Sequence, residues 1–203
     1  MKWLHLYIKS NISANFLTAF SPIEQRGLPS RSGSLRNYMK ALILAAGRGR
    51  RLWPLTADRP KCLLPVGGTS LLERQLSHLE QAGVTETVII GGFGVESVRE
   101  AIATFSGSMH VKLLYNPFYA ISDNLISLWV ARGEMDGELL LLNGDTIFHP
   151  AVLDALLHSA GDCCLLAGRK SQYEADAMKL QLCNTRVARA GKEIPAADAE
   201  ALG

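Results

Sequence analysis

Residues 40–46 constrain this chain more than any other segment. They read Lys-Ala-Leu-Ile-Leu-Ala-Ala, a short apolar run without polar alternation, and they break directly into Gly47-Arg48-Gly49-Arg50-Arg51. A strand that is apolar on both sides has to be covered on both sides, which is the situation of a parallel sheet packed between helices. Similar short runs recur at 87–91, 111–115, 139–142 and 163–167. Between them lie segments with helical spacing: Leu72, Leu76 and Leu79; Val95, Val98, Ile102 and Phe105; Val152, Leu153, Leu156 and Leu157. Ser70-Leu71-Leu72-Glu73 has the form of a capping box, the helix it opens should stop near Gly83, and Pro150 suits a first helical turn. Ser122 or Asp123 is placed to cap a helix running through Ala131, and 178–182 with 186–189 reads as a hairpin or two edge strands. Strand–helix alternation predicts an α/β fold, a mostly parallel sheet with helices on both faces. Such sheets bind ligands outside the carboxyl ends of their strands, near a reversal of strand order. The 47–51 loop and Asn143-Gly144-Asp145 both occupy such ends and are expected to face one crevice.

Bulk properties narrow the function classes. With 203 residues the chain has room for one sizeable core. Its 21 basic and 19 acidic residues nearly balance, so no concentrated basic surface is available for coating nucleic acid, and phosphate chemistry has to come from local cations. Cys62, Cys163, Cys164 and Cys183 form no Cys-x-x-Cys pair, which argues against a zinc site or a disulfide framework and for reduced thiols in the cytoplasm. No apolar stretch approaches the ~20 residues of a membrane span. The leader, 1–38, contains Glu24 as its one acid, and Pro29, Ser30, Ser32, Gly33 and Ser34 read as a linker. A disordered or non-native extension is expected there, in preference to an organelle transit peptide, with a domain over 39–203 that begins functionally at Met39.

The motifs carry the chemistry. Gly47 and Gly49 allow the backbone to turn tightly and approach a ligand, and successive N–H groups can then hold phosphate oxygens. Arg51 adds a cationic fork. The run is neither a P-loop, since no Gly-Lys-Ser/Thr follows, nor a dinucleotide fingerprint, since Leu52 stands where a third glycine belongs. In Arg59-Pro60-Lys61, followed by Leu63-Leu64-Pro65-Val66, the prolines stiffen a segment that presents the Lys61 ammonium. Taken singly, a Gly/Arg turn, a lysine beside a proline and a turn-forming Asp145 are ordinary surface features.

Taken together, Lys-Ala-Leu-Ile-Leu-Ala-Ala-Gly-x-Gly-x-Arg-Leu-x-Pro-Leu-Thr and Arg-Pro-Lys-x-Leu-Leu-Pro-Val resemble the signature of the sugar-phosphate and alcohol-phosphate nucleotidyltransferases. That resemblance implies a Rossmann-like, nucleotide-diphospho-sugar transferase-like fold and transfer of a nucleotidyl group from an NTP to a phosphorylated small-molecule acceptor. It implies that the loop carrying Ala45, Ala46, Gly47 and Gly49 contacts the nucleobase and triphosphate. It also implies that Arg51 and Lys61 neutralise the triphosphate and departing pyrophosphate, that Asp145 holds Mg²⁺, and that Lys192, in Gly191-Lys192-Glu193-Ile194, meets the acceptor phosphate. The stretch Asn116-Pro117-Phe118-Tyr119, Ser122-Asp123-Asn124, Ser127-Leu128-Trp129 resembles the bacterial choline-phosphate cytidylyltransferases and their alcohol- and phosphonate-directed relatives. Those typically have Thr-Asn-Asn where this chain has Ser122-Asp123-Asn124; Asn124 matches and is the candidate contact to the nucleotide, or to the acceptor, from a helix start. CTP is therefore the expected donor, with a UTP-, dTTP- or GTP-dependent sugar-1-phosphate enzyme as the alternative. Tyr119, Trp129 and Tyr173 could cage a quaternary ammonium, although such residues more often serve the core. Members of this kind continue past the position of Gly203, so an incomplete acceptor half, an inactive nucleotide-binding module, and homo-oligomerisation through an open sheet edge are further expectations.

Overall fold

The computed structural model describes residues 5–8, 39–159, 163–169, 172–174, 177–184 and 186–202. Its strands are β1 (His5–Ile8), β2 (Lys40–Ala45), the two-residue β3 (Pro65–Val66) and β4 (Thr69–Ser70), β5 (Glu86–Gly91), β6 (His110–Tyr115), β7 (Leu139–Asn143), β8 (Cys163–Leu166), β9 (Lys179–Cys183), β10 (Arg186–Gly191) and β11 (Ala201–Leu202). Six of them form the central sheet in the order β6-β5-β2-β7-β1-β8. β2 pairs in parallel with β5 and β7, and β5 pairs in parallel with β6. The apolar run thus lies in the middle of the sheet, with Ala41, Leu42 and Ile43 fully buried.

Successive residues of β2 serve opposite faces, as the pleat requires. Ala41, Ile43 and Ala45 join one core with Ile89, Leu140 and Leu142. That core is covered by α1 (Leu71–Gln81), α2 (Val95–Ala103) and α4 (Pro150–Leu157) through Leu72, Leu76, Leu79, Val98, Leu153 and Leu156. Leu42 and Leu44 face the other way, with Val88, Ile90, Leu139 and Leu141. There α3 (Asn124–Val130) and the turn after it supply Leu128, Ala131 and Met135. The fold is therefore α/β, mostly parallel, with helices on both faces.

Local chemistry sets the helix ends. Ser70 Oγ accepts from Glu73 N at 3.1 Å, the N-terminal half of the capping box. At the other end Gly83 N donates to Glu80 O at 2.9 Å and Val84 N to Leu79 O at 3.0 Å, a Schellman closure that drops Val84 into the core. Leu76, 1% exposed, lies at the centre of this interface. Leu76→Ala is expected to lower the unfolding free energy by about 2–5 kcal/mol, the cost of lost burial plus the cavity left behind; urea denaturation measures it, and a change below ~1 kcal/mol would show that the helix repacks freely.

Strand order fixes where a ligand can enter. From β2 the chain builds outward through β5 to β6, then returns to β7 on the other flank of β2. The reversal lies between β2 and β7, so the loops leaving their carboxyl ends diverge and open a crevice. Beyond it, β9, β10 and β11 form a small antiparallel sheet in the order β10-β9-β11, which includes the expected 178–189 hairpin and positions the residues that follow β10.

One strand falls within the segment where an extension was expected. β1 lies antiparallel between β7 and β8, pairing Leu6 with Leu141 and with Leu165. Four residues are too few for periodicity to declare a strand; backbone edges in need of partners select it. The rest of 1–38, including the linker expected at 29–34, lies outside the described residues.

Candidate active site

The loops after β2 and β7 enclose a cavity of about 570 Å³. Ala45, Gly47, Gly49, Arg51, Lys61, Asn124, Asp145 and Lys192 all line it. These come from five separate stretches of sequence. Ala46 does not reach the wall: it is buried, and its carbonyl accepts from Phe93 N at 3.1 Å.

The Gly/Arg loop is held by short-range contacts. Gly49 has φ +63°, and a Cβ there would lie 3.1 Å from both Lys61 Cβ and Thr56 Cγ2. A side chain would thus be strained in conformation and pressed against the segment bearing the lysine. Thr56, 4% exposed, donates from Oγ1 to Gly49 O at 3.0 Å, which explains the Thr of the Pro-Leu-Thr motif as a tether for this loop. Arg51 follows in a short 3-10 turn, Arg50–Leu52, and is solvent-exposed at the cavity.

Lys61 opens a second 3-10 turn, Lys61–Leu63, directly after buried Pro60. Its Nζ donates to Asp145 Oδ2 at 2.6 Å across 84 residues of sequence. Both side chains are part-exposed, 25% and 30%, so the pair is accessible from the cavity and contributes little to stability. Asp145 belongs to a tight turn off β7: Gly144 N donates to Leu44 O at 2.8 Å, and Thr146 N to Asn143 O at 3.2 Å. Next to Lys61, Cys62 is 2% exposed, and burial pushes its thiol up to about 12, with the nearby Asp145 carboxylate adding to the shift. Neutral at physiological pH, Cys62 is neither a nucleophile nor a thiolate ligand.

The 116–127 loop brings Asn124 in. Asn116, wholly buried, accepts from Phe118 N at 2.9 Å and donates to Ser122 Oγ and Ser127 Oγ at 3.2 and 3.1 Å. Asp123 caps α3 by accepting from Leu125 N at 2.9 Å. Asn124 Nδ2 then donates to Asn143 Oδ1 at 3.2 Å, linking the helix start to the end of β7. The three aromatic candidates stay away from the cavity wall. Trp129 is 47% exposed, hence not core, and carries the Arg132 guanidinium 4.6 Å from its ring centre; Tyr119 leans on Tyr115 at 6.5 Å.

Arg50, Arg51, Lys61 and Lys192 set four cations against the carboxylates of Asp123 and Asp145. A cavity with that balance attracts a polyanion. Among the described residues no group of three or more His, Cys, Asp or Glu could cage a metal ion. A magnesium ion delivered with a nucleotide needs less: it takes one or two carboxylates, fills its other positions with phosphate oxygens and water, and so fits a single Asp145. Arg50, Cys62 and Met178, to which sequence reading gave no role, also line the cavity, as does Asn143 at the strand end expected to face it. Of these Asn143 has a signal, as the first polar residue after the 139–142 run.

Comparison with known proteins identifies the family and the fold. A family model described as the MobA-like NTP transferase domain matches residues 41–194. Over 131 residues the chain is 37% identical to the CMP-5'-(3-aminopropyl)phosphonate synthase of Streptomyces rubellomurinus, covering 64% of this chain and 21% of that protein. Over 80 residues it is 45% identical to the N-acetylmuramate alpha-1-phosphate uridylyltransferase of Neisseria meningitidis, covering 39% of this chain and 34% of that one. The chain thus spans about a third or less of these curated relatives. Among solved structures, the CTP:phosphocholine cytidylyltransferase of Streptococcus pneumoniae superposes with a TM-score of 0.56 at 25% identity, over 81% of this chain and 67% of that one. No described helix is long and apolar enough to cross a membrane.

Proposed function

Because the chain belongs to the MobA-like NTP transferase domain family, we propose that it is a cytoplasmic nucleotidyltransferase that transfers CMP from CTP to a small phosphorylated alcohol or a phosphonate and releases pyrophosphate. The observation that carries this reading is the meeting of Lys61 and Asp145 at 2.6 Å in a cavity also lined by Gly47, Gly49, Arg51 and Lys192. Triphosphate-directed cations and a carboxylate for the accompanying ion converge there from distant parts of the sequence.

The residues divide the work as follows. The backbone at Gly47 and Gly49 receives the nucleotide where side chains would obstruct it. Arg51 and Lys61 take the β- and γ-phosphates, so negative charge building on the leaving pyrophosphate meets fixed cations. Lys192 faces the acceptor phosphate. An acceptor oxygen attacks the α-phosphorus in line; the new P–O bond forms as the bond to the bridging oxygen breaks, and pyrophosphate departs with the electron pair. The acceptor is already an anion, so no strong base is needed, and positioning supplies most of the rate. Mg²⁺, held by Asp145 and phosphate oxygens, would neutralise charge and polarise the α-phosphate when bound. The Lys61 ammonium, paired with Asp145 at 2.6 Å, is placed to take a phosphate oxygen as well.

Support for CTP and for a phosphocholine- or phosphonate-type acceptor comes from two relatives whose names specify CMP or CTP, and from the 116–129 stretch. The uridylyltransferase of Neisseria meningitidis favours a second reading, a sugar-1-phosphate acceptor with UTP, because its identity in the matched segment is higher, 45%. Pyrophosphate release measured with CTP, UTP, dTTP and GTP against phosphocholine, 3-aminopropylphosphonate and sugar 1-phosphates separates them. CTP with phosphocholine or the phosphonate is expected to be fastest. Arg51→Ala and Lys61→Ala should each reduce kcat/KM by about 10²–10³-fold, the scale of losing one fixed donor at developing charge. Highest turnover with UTP and a sugar 1-phosphate would replace the CTP reading. Nucleotide binding without pyrophosphate release from any pair would mean an inactive module.

A further inference from the structure

Gln75 breaks the apolar stripe of α1. It lies three residues after Leu72 and four before Leu79, on the face those leucines turn to the sheet, and it is 1% exposed. Burying a primary amide is costly unless its hydrogen bonds are made. Gln75 Nε2 makes two: it donates to Asn143 O at 2.9 Å and to Thr146 O at 2.7 Å. These carbonyls bracket Gly144-Asp145. Only an NH₂ group can face two carbonyl oxygens, so the orientation of the amide follows from its acceptors. Gln75 Oε1 and Thr146 Oγ1 are buried and accept or donate no hydrogen bond. The donor end alone therefore accounts for an amide at this site.

We propose that Gln75 is a positioning residue for Asp145. It clamps the two ends of the turn from the helix side while Gly144 N ties the same turn to β2 through Leu44 O. The carboxylate is thus held at the cavity by α1, a helix that contributes no side chain to the cavity wall. This inference rests on the role given above to Asp145 as the magnesium ligand.

Gln75→Met keeps the length and removes both donors. Manganese titrated in the presence of saturating CTP, with no acceptor, reads the site without turnover. Gln75→Met is expected to weaken apparent Mn²⁺ affinity and lower kcat by about 10- to 100-fold, the usual cost of losing an outer-shell partner, while CTP binding in EDTA stays unchanged. Should Gln75→Met fail to fold, Gln75→Glu decides. Its carboxyl can donate only when protonated, so its activity relative to wild type should rise as pH falls. A Gln75→Met protein of lower melting temperature but wild-type Mn²⁺ affinity and kcat, or a Gln75→Glu pH profile parallel to wild type, overturns the inference and leaves the proposed function standing. Wild-type protein that releases pyrophosphate from CTP yet takes up no Mn²⁺ with CTP removes the metal role and this inference together.

Discussion

Asp145→Ala is expected to reduce the rate of pyrophosphate release by about 10²–10³-fold, since a divalent ion on phosphate oxygens contributes several kcal/mol and each 1.36 kcal/mol is a factor of ten. The physical basis is local. Asp145 is the carboxylate in contact with Lys61, and Asp123, the other acid at the cavity, already spends Oδ1 capping α3. On the proposed mechanism, removing Asp145 costs the ion its protein ligand; it also leaves Lys61 Nζ without this carboxylate. Stability should hardly move, because the pair is part-exposed and such pairs are worth ~1 kcal/mol or less. Asp145→Asn keeps the shape and loses the charge, so it should be nearly as inactive. A rate that survives in Asp145→Ala, with melting unchanged, would remove the metal role from this residue. A Lys61→Ala/Asp145→Ala double variant should lose less than the product of the single losses, because the two act on one bound triphosphate.

Gly144→Ala should damage the site although it adds only a methyl group. A Cβ at 144 would come within 2.9 Å of Ala45 Cβ and 3.1 Å of Leu44 O. Those atoms belong to the central strand and cannot swing aside as a flexible side chain would. The ends of β2 and β7 would have to part, and with them the glycine loop and the Asp145 turn. A displacement approaching 1 Å at positioned groups can cost ~10²-fold in rate, and overpacking of this kind costs about 1–3 kcal/mol in stability. Gly133→Ala is the control: a Cβ there meets nothing within 4 Å. Kinetics and melting of the two variants side by side test the geometry. Equal, wild-type values for both would show that the two strand ends are not held together as described.

The elements that sequence reading located are those whose cause is local. The 40–46 run, the Ser70 cap, the stop near Gly83 and Pro150 at a helix start each depend on a few neighbouring residues, and each lies where expected. Boundaries differ by a residue or two, as helix ends and strand ends do when partners extend them. The 116–129 stretch was legible as a motif, yet its aromatics were not placeable: Tyr119 lies in a loop held by buried Asn116, and Trp129 is half-exposed on α3 with Arg132 over its ring. Gln75 carried a visible signal, a polar residue on an apolar stripe. What it was for depended on where residue 143 would lie.

By itself the sequence determined which short segments are strands, which faces of the helices are apolar, and which residue types are available for phosphate chemistry, because periodicity, capping and turn propensity act over a few residues. Only the tertiary structure decided that Lys61 touches Asp145, that Lys192 shares their cavity, and that residues 5–8 fill a place between β7 and β8. Those are matters of strand order. Order is chosen by burying both faces of a sheet and pairing its interior strands at once, a condition on the whole chain that no local window contains.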